Sequence, residues 1–181
     1  MNKAAFLDRD GVISEDVGYL HQIRDLHLLP GVTGAIKKLN VAGYLVIVIT
    51  NQAGIAKGLY TINDMEKLHA EMYVRLGSEG AHIDKIYYCP HHPEGVVVEY
   101  AVACECRKPG TGMIEGAIKE FDINLEESFL VGDKPSDILA GKRMGLKTVF
   151  VNGYKGRPEI QYEVTPDFFA DDLAQAITYF L

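Results

Sequence analysis

Apolar residues follow two rhythms that alternate along most of the chain. Lys3 to Leu7 is a short apolar run closed by Asp8, then Gly11 and a polar segment to Pro30, which predicts a buried strand and a long loop. From Gly31 to Asn40, Val32, Ile36 and Leu39 fall at helical spacing, and Gly43 marks the stop. Leu45 to Thr50 is continuous and rich in β-branched residues, as suits a strand covered on both faces. A helix starting at Thr61 to Asp64 places Met65, Leu68, Met72 and Leu76 on one side. Further along, Asp84 to Tyr88, Ser128 to Val131 and Lys147 to Val151 predict strands, while Met113 to Phe121 and Ile138 to Met144 predict helices. Cys89 to Pro109 interrupts this order as an irregular insertion. The pattern weakens from Pro158, with an edge strand expected over Asp167 to Ala170 and a last helix from Asp172.

Strand alternating with helix predicts an α/β fold, a doubly wound parallel sheet with helices on both faces, in one domain over residues 1–181. Ligands of such sheets lie beyond the carboxyl ends of the strands. The residues there are Asp8 with Asp10, Thr50 with Asn51, and Gly132 with Asp133 and Asp137; Lys108 arrives from the insertion. Carboxylates gathered on one rim repel one another unless a cation neutralises them, and hard oxygen ligands select Mg²⁺. A turn at Gly11 lets one of Asp8 and Asp10 face the metal and the other the substrate. Any single aspartate after a strand is readily a turn former or helix cap. The ordered set of acid, acid, hydroxyl, lysine and acid is much harder to obtain by chance.

With 181 residues, 48% of them hydrophobic, the chain can build one core. Its 18 basic and 25 acidic residues give a net charge of −7, which repels a nucleic-acid backbone, and no basic patch offsets it. The run from Tyr44 to Ile49 is too short to cross a bilayer, and the N-terminus lacks a signal-peptide pattern. The expectation is a cytoplasmic protein with neither membrane nor nucleic-acid partner. A monomer is expected too, because no long apolar stripe is left outside the core.

The three cysteines, Cys89, Cys104 and Cys106, lie within a single short window. An odd, clustered set suits a metal site better than a disulfide framework. With His91 they make a Cys₃His set, the donors of a closed tetrahedral zinc site, and each half places its ligands two residues apart. His92 is available too, but an extended segment points it away from Cys89. Four protein ligands leave no open position, so the Zn²⁺ is read as structural, stapling a loop at about 89–109. The alternative is three buried cysteines and a surface histidine.

Asp8-Arg9-Asp10-Gly11-Val12, the strand end at Thr50-Asn51, Lys108, and Gly132-Asp133-Lys134-Pro135-Ser136-Asp137 together resemble the four motifs of the haloacid dehalogenase superfamily. The resemblance runs from residue 4 to about residue 152. It implies a Mg²⁺-dependent phosphohydrolase on a Rossmann-like sheet, working through an aspartyl-phosphate. Asp8 would be the nucleophile and Asp10 the general acid and then base. Thr50 and the Asn51 N–H would hold the phosphoryl group, and Lys108 would screen its charge. Asp8, the Asp10 carbonyl and Asp133 would hold Mg²⁺; Asp137 would position a metal-bound water or serve as a polar helix-face residue. Within the superfamily, the Cys-Pro-His and Cys-x-Cys-Arg-Lys-Pro arrangement resembles the heptose bisphosphate phosphatases and the histidinol-phosphate phosphatases. The long segment between His91 and Cys104 and the string Tyr87 to Pro93 favour the first. That resemblance implies a phosphosugar substrate, D-glycero-D-manno-heptose 1,7-bisphosphate, losing its 7-phosphate. The implied contacts are Asp16, Val17, Gly18, Tyr19, Thr50, Asn51, Gln52, Ala53, Arg107, Lys108 and Lys134. A second phosphate needs a second cation, and Arg107 can supply it bidentately. A phospho-accepting receiver domain, which also combines Asp, Thr, Lys and Mg²⁺, is the reading from another class.

Overall fold

Along β1 (Ala4–Leu7) successive side chains enter opposite cores, Ala5 and Leu7 one and Ala4 and Phe6 the other. That alternation is the period of an extended chain, and burial on both faces is why the run shows no polar positions. A computed structural model describes residues 1–151 and 164–181; the weakly patterned tail from Pro158 falls partly outside the described residues. β1 pairs with β2 (Leu45–Asn51), which pairs with β3 (Lys85–Cys89); on its other side β1 pairs with β4 (Phe129–Gly132). β5 (Lys147–Val151) and β6 (Phe168–Ala170) complete a parallel sheet of order β3-β2-β1-β4-β5-β6. The order reverses between β1 and β4, so Asp8 and Asp133, which follow those strands, flank the switch point where such sheets bind ligands.

One face is covered by α1 (Val32–Val41), α3 (Ile62–Ser78) and α6 (Leu173–Ala176), through Ile36, Leu39, Leu68, Met72 and Leu173. Across the sheet, α4 (Gly112–Phe121) and α5 (Pro135–Arg143) bury Met113, Ile114, Ala117 and Ala140. A single turn, α2 (Ala53–Ala56), follows β2 and is too short to leave a helical period in the sequence. Between β3 and α4 no regular element forms, as the irregular insertion predicts. This segment is pinned at one point by the Val96 and Val97 N–H groups, both donating to the Ala56 carbonyl at 2.8 and 2.9 Å. Among the described residues no helix is long and apolar enough to cross a membrane.

α3 begins where a capping box satisfies its free N–H groups: the Thr61 hydroxyl accepts from Asp64 N–H at 3.2 Å, and the Asp64 carboxylate accepts from Thr61 N–H at 2.9 Å. The Thr61 N–H, and the Thr61 hydroxyl donating to the same carboxylate at 2.7 Å, hold the Asp64 carboxyl below its ordinary range. Thr61→Ala is expected to cost about 1 kcal/mol of stability, read as a shift in the urea midpoint. A midpoint unchanged within error would show that packing alone sets this helix start.

Candidate active site

The turn after β1 is tied to β4 by the Asp8 N–H, which donates to the Val131 carbonyl at 3.0 Å. It then presses against β4: Gly11 sits at φ +85°, and a Cβ there would lie 2.1 Å from Asp133 Oδ2. Only glycine permits both that backbone and that approach. The carboxylates of Asp8, Asp133 and Asp137 consequently offer oxygens all within 4.8 Å of one another. Lys108 enters this group, its Nζ 2.9 Å from Asp8 Oδ1, 2.7 Å from Asp137 Oδ1 and 2.7 Å from the Ile49 carbonyl.

Burial works against the Lys108 charge, but Asp137 and Asp8 more than reverse that and raise its pKa. Asp137 is 1% exposed in the first turn of α5, where its second oxygen accepts from the Lys134 N–H at 3.0 Å. It is therefore a buried counter-ion of Lys108, not a polar residue on an open helix face. One ammonium does not balance the group. Burial, and next the Asp8 charge, push Asp133 up to about 8, and its Oδ1 is buried without a hydrogen-bond donor. A converging set of carboxylate oxygens, one of them orphaned, fits a hard divalent cation such as Mg²⁺.

Lys108 is aimed from outside the sheet. The Asn51 side chain at the end of β2 clamps the Lys108 backbone twice, donating from Nδ2 to its carbonyl and accepting its N–H at Oδ1, both at 3.0 Å. Arg143 of α5 donates to the next carbonyl, that of Pro109, at 2.7 Å. On the N-terminal side stand the thiols: Cys89 Sγ lies 3.4 Å from Cys104 Sγ and 3.0 Å from Cys106 Sγ, and His91 Nδ1 lies 3.4 Å from Cys106 Sγ. Burial and the neighbouring Cys106 push the Cys89 thiol well up, an unfavourable state for thiolates that a bound cation would reverse. These separations are shorter than the edge of a tetrahedron of Zn–S bonds, about 3.8 Å, but the four donors converge, and soft thiols with one imidazole fit zinc. His92 is not in the cluster; its Nδ1 accepts from the Glu94 N–H at 3.2 Å, and the residue lines the cleft beside the site.

That cleft has a volume of about 760 Å³ and is lined by Asp10, Asp16, Gly18, Tyr19, Asn51, Ala53, Lys57, Arg107, Lys108 and Lys134, among others. Lys108 joins this lining to the acid cluster, through its contacts with Asp8 and Asp137. Lys134 reaches Asp16 at 3.4 Å and Asp133 at 3.9 Å; although burial lowers it, Asp8, Asp133 and Asp16 hold its ammonium above the ordinary lysine range.

A family model described as HAD-hydrolase-like matches residues 105–176. A curated relative from Rhodopseudomonas palustris, D-glycero-beta-D-manno-heptose-1,7-bisphosphate 7-phosphatase, is 46% identical over 143 residues, or 79% of each chain. Another, from Photorhabdus laumondii subsp. laumondii and named for the alpha anomer, is 46% identical over 149 residues, 82% of this chain and 81% of its own. The crystal structure of D,D-heptose 1,7-bisphosphate phosphatase from B. bronchiseptica, complexed with magnesium and phosphate, matches with a TM-score of 0.87 and 30% identity. The match covers 98% of this chain and 97% of that one. The chain belongs to the heptose-bisphosphate phosphatase family.

Within that family frame, the structure brings most of the sequence-derived residues to one cleft and sets a few apart. Val17 is 53% exposed and does not line it. Thr50 is buried, its hydroxyl accepting from Gln52 Nε2 at 2.8 Å. The Gln52 side chain turns inward to Asp10, Thr50, Arg9 and Tyr60, so any substrate contact there would fall to its backbone. Asp10 keeps its carboxylate out of the three-acid group and turned to Arg9, Nε to Oδ1 at 3.1 Å and Nη2 to Oδ2 at 3.0 Å. Burial still raises the Asp10 pKa over the opposing Arg9 charge.

Sequence reasoning gave no role to Arg9, His69, Tyr60 or Lys57. For His69 a signal existed: it lies on the buried stripe of α3 beside Met65, Leu68 and Met72, a polar residue where the period calls for an apolar one. Lys57 donates to the Tyr19 hydroxyl at 2.9 Å on the cleft wall.

The Asp133 carboxyl has a defined consequence for metal binding. Held protonated below about pH 8 in metal-free protein, it must lose its proton to bind a cation. Mg²⁺ binding is expected to release a proton at neutral pH and to tighten as pH rises toward 8. Calorimetry in two buffers of different ionisation enthalpy reads the proton count. Proton uptake, or an affinity that falls over the same range, would contradict this.

Proposed function

We propose that the chain hydrolyses the 7-phosphate of D-glycero-D-manno-heptose 1,7-bisphosphate and leaves the 1-phosphate in place, with Asp8 as nucleophile. The observation that carries this reading is the Lys108 ammonium wedged between Asp8 and Asp137 and lining a cleft to which Lys57, Arg107 and Lys134 also bring positive charge. The names of the relatives, covering both anomers, support the substrate class, and they favour heptose bisphosphate over histidinol phosphate.

The chemistry follows from the charges. A carboxylate approaching a phosphate dianion is repelled, so its path must run between cations. Asp8, Asp133 and the Asp10 carbonyl would hold Mg²⁺, which when bound neutralises charge on the transferring phosphoryl group. An Asp8 oxygen forms a bond to phosphorus as the bond to the sugar oxygen breaks, and Asp10, in its protonated form, gives its proton to the departing alkoxide. The Asp10 carboxylate then takes a proton from water as that water attacks phosphorus, which frees Asp8 and inorganic phosphate. Thr50 and the Asn51 N–H are assigned to hold the phosphoryl oxygens, and Lys108 to screen them. Arg107 and Lys134 are assigned to the phosphate that does not react, with Asp16 to Tyr19 closing over the sugar. Zn²⁺ on Cys89, His91, Cys104 and Cys106 is assigned a structural role only, since a closed donor set leaves it no open position.

The decisive assay follows both phosphates by ³¹P NMR at multiple turnover with Mg²⁺. Loss of the 7-phosphate alone is expected, with kcat/KM for histidinol phosphate lower by about 100-fold or more, and with Asp8→Asn slower by about 10⁴-fold or more. A preference for histidinol phosphate would overturn the substrate; phosphate release that stops at one equivalent would favour the phospho-accepting receiver reading.

A further inference from the structure

Arg9 stands between the two catalytic aspartates in sequence, yet its side chain is wholly buried and points away from the cleft, into a polar pocket under α3. A guanidinium carries five N–H donors and cannot shed its charge, so burial is tolerable only when those donors are met. Here they are met on several sides. Nε and Nη2 grip both oxygens of Asp10, Nη2 also reaches the Leu20 carbonyl and Gln52 Oε1, each at 3.1 Å, and Nη1 meets His69 Nε2 at 3.0 Å.

The last contact fixes the state of His69. Arginine can only donate, so His69 Nε2 must accept, and the ring is neutral with its proton on Nδ1. Burial, followed by the Arg9 charge, pushes the His69 pKa down to about 3, which agrees with that assignment. Gln52 closes the pocket: its Oε1 accepts from Arg9 and from the Tyr60 hydroxyl at 2.5 Å, and its Nε2 donates to Asp10 Oδ2 at 3.3 Å. The Asp10 carboxylate thus has a bidentate clamp, and the clamp has its own support from a helix on the far side.

We infer that Arg9 and His69 are positioning residues for the proton-transfer step, with His69 on α3 holding the Arg9 guanidinium so that its fork sets the plane and reach of the Asp10 carboxyl. Neither residue lines the cleft, so neither acts on substrate directly. A fork that locks a carboxylate plane gives orientation that a lysine point charge would not, and small misplacements of a reacting group are costly in rate. This rests on the assignment of Asp10 as general acid.

A sugar alkoxide needs a proton as it departs, whereas 2,4-dinitrophenolate does not. Because kcat/KM covers steps only as far as departure of that group, the ratio of kcat/KM for the two substrates reads proton delivery alone. His69→Leu, which removes the acceptor, is expected to lower kcat/KM for heptose bisphosphate by about tenfold or more while changing that for 2,4-dinitrophenyl phosphate by less than about threefold. His69→Gln, which keeps an acceptor, is expected to restore the ratio. Should His69→Leu not fold, Arg9→Lys tests the same ratio, keeping the charge and losing the fork. Equal losses on both substrates, or no loss on either, would overturn the positioning role. Asp10→Asn separates the underlying assignment: if it leaves the ratio unchanged, the general-acid reading fails, and if it shifts the ratio while the His69 and Arg9 variants do not, only the positioning role fails.

Discussion

The Lys108 ammonium is the fixed point of the structure. It is 2% exposed, lies within 3 Å of Asp8 and of Asp137, and is charged in spite of its burial. Removing one partner of a buried, hydrogen-bonded ion pair leaves the other charge stranded, at a cost of about 3–5 kcal/mol. The two strands that end here, β1 and β4, can bring their acids together only because that cation stands among them. Even so, the compensation is incomplete, as the raised Asp133 carboxyl and its buried oxygen without a hydrogen-bond donor record. A site left short of positive charge is one prepared to take a metal and a phosphate together.

Lys108 belongs to no regular element, so its position has to be imposed. Asn51 holds its backbone from the end of β2, Arg143 holds Pro109 from α5, and the cysteine cluster ends at Cys106, two residues before it. Asn51 is also paired in register with Cys89, which places the start of the insertion beside its end. The loop is thereby closed on itself at the rim of the sheet, and Lys108, near its end, is delivered into the acid cluster. In the proposed function a zinc ion would complete that closure, giving rigidity to a segment with no core of its own.

Much of this was legible in the chain because parallel strands are buried on both faces and therefore read as continuous apolar runs, as at Leu45 to Thr50. The residues that end such runs fall at the ligand-binding rim by geometry alone, which is why Asp8, Thr50 and Asp133 stood out. Helix starts were less legible. α5 begins at Pro135, ahead of the expected Ile138, because proline suits a first turn and Asp137 caps the Lys134 N–H. Membership of the rim was more legible than the pairing within it: Lys108 and Asp137 were both expected there, but not as each other's partner, and nothing near Arg9 announces His69, a contact that exists only once α3 is laid on the sheet. A charge beside an apolar run is ordinarily read as exposed, and Arg9 departs from that reading because α3 brings it an acceptor.

The claim that the insertion exists to aim Lys108 is tested most directly by removing the zinc proposed for the cysteine cluster and measuring Mg²⁺ binding and the chemistry separately. Zinc-depleted protein, verified by elemental analysis and returned to saturating Mg²⁺, is expected to keep Mg²⁺ affinity within about threefold while kcat falls by about 100-fold. Unchanged kcat in verified zinc-free protein would contradict it, and would mean that Asn51 and Arg143 suffice to hold the lysine in place.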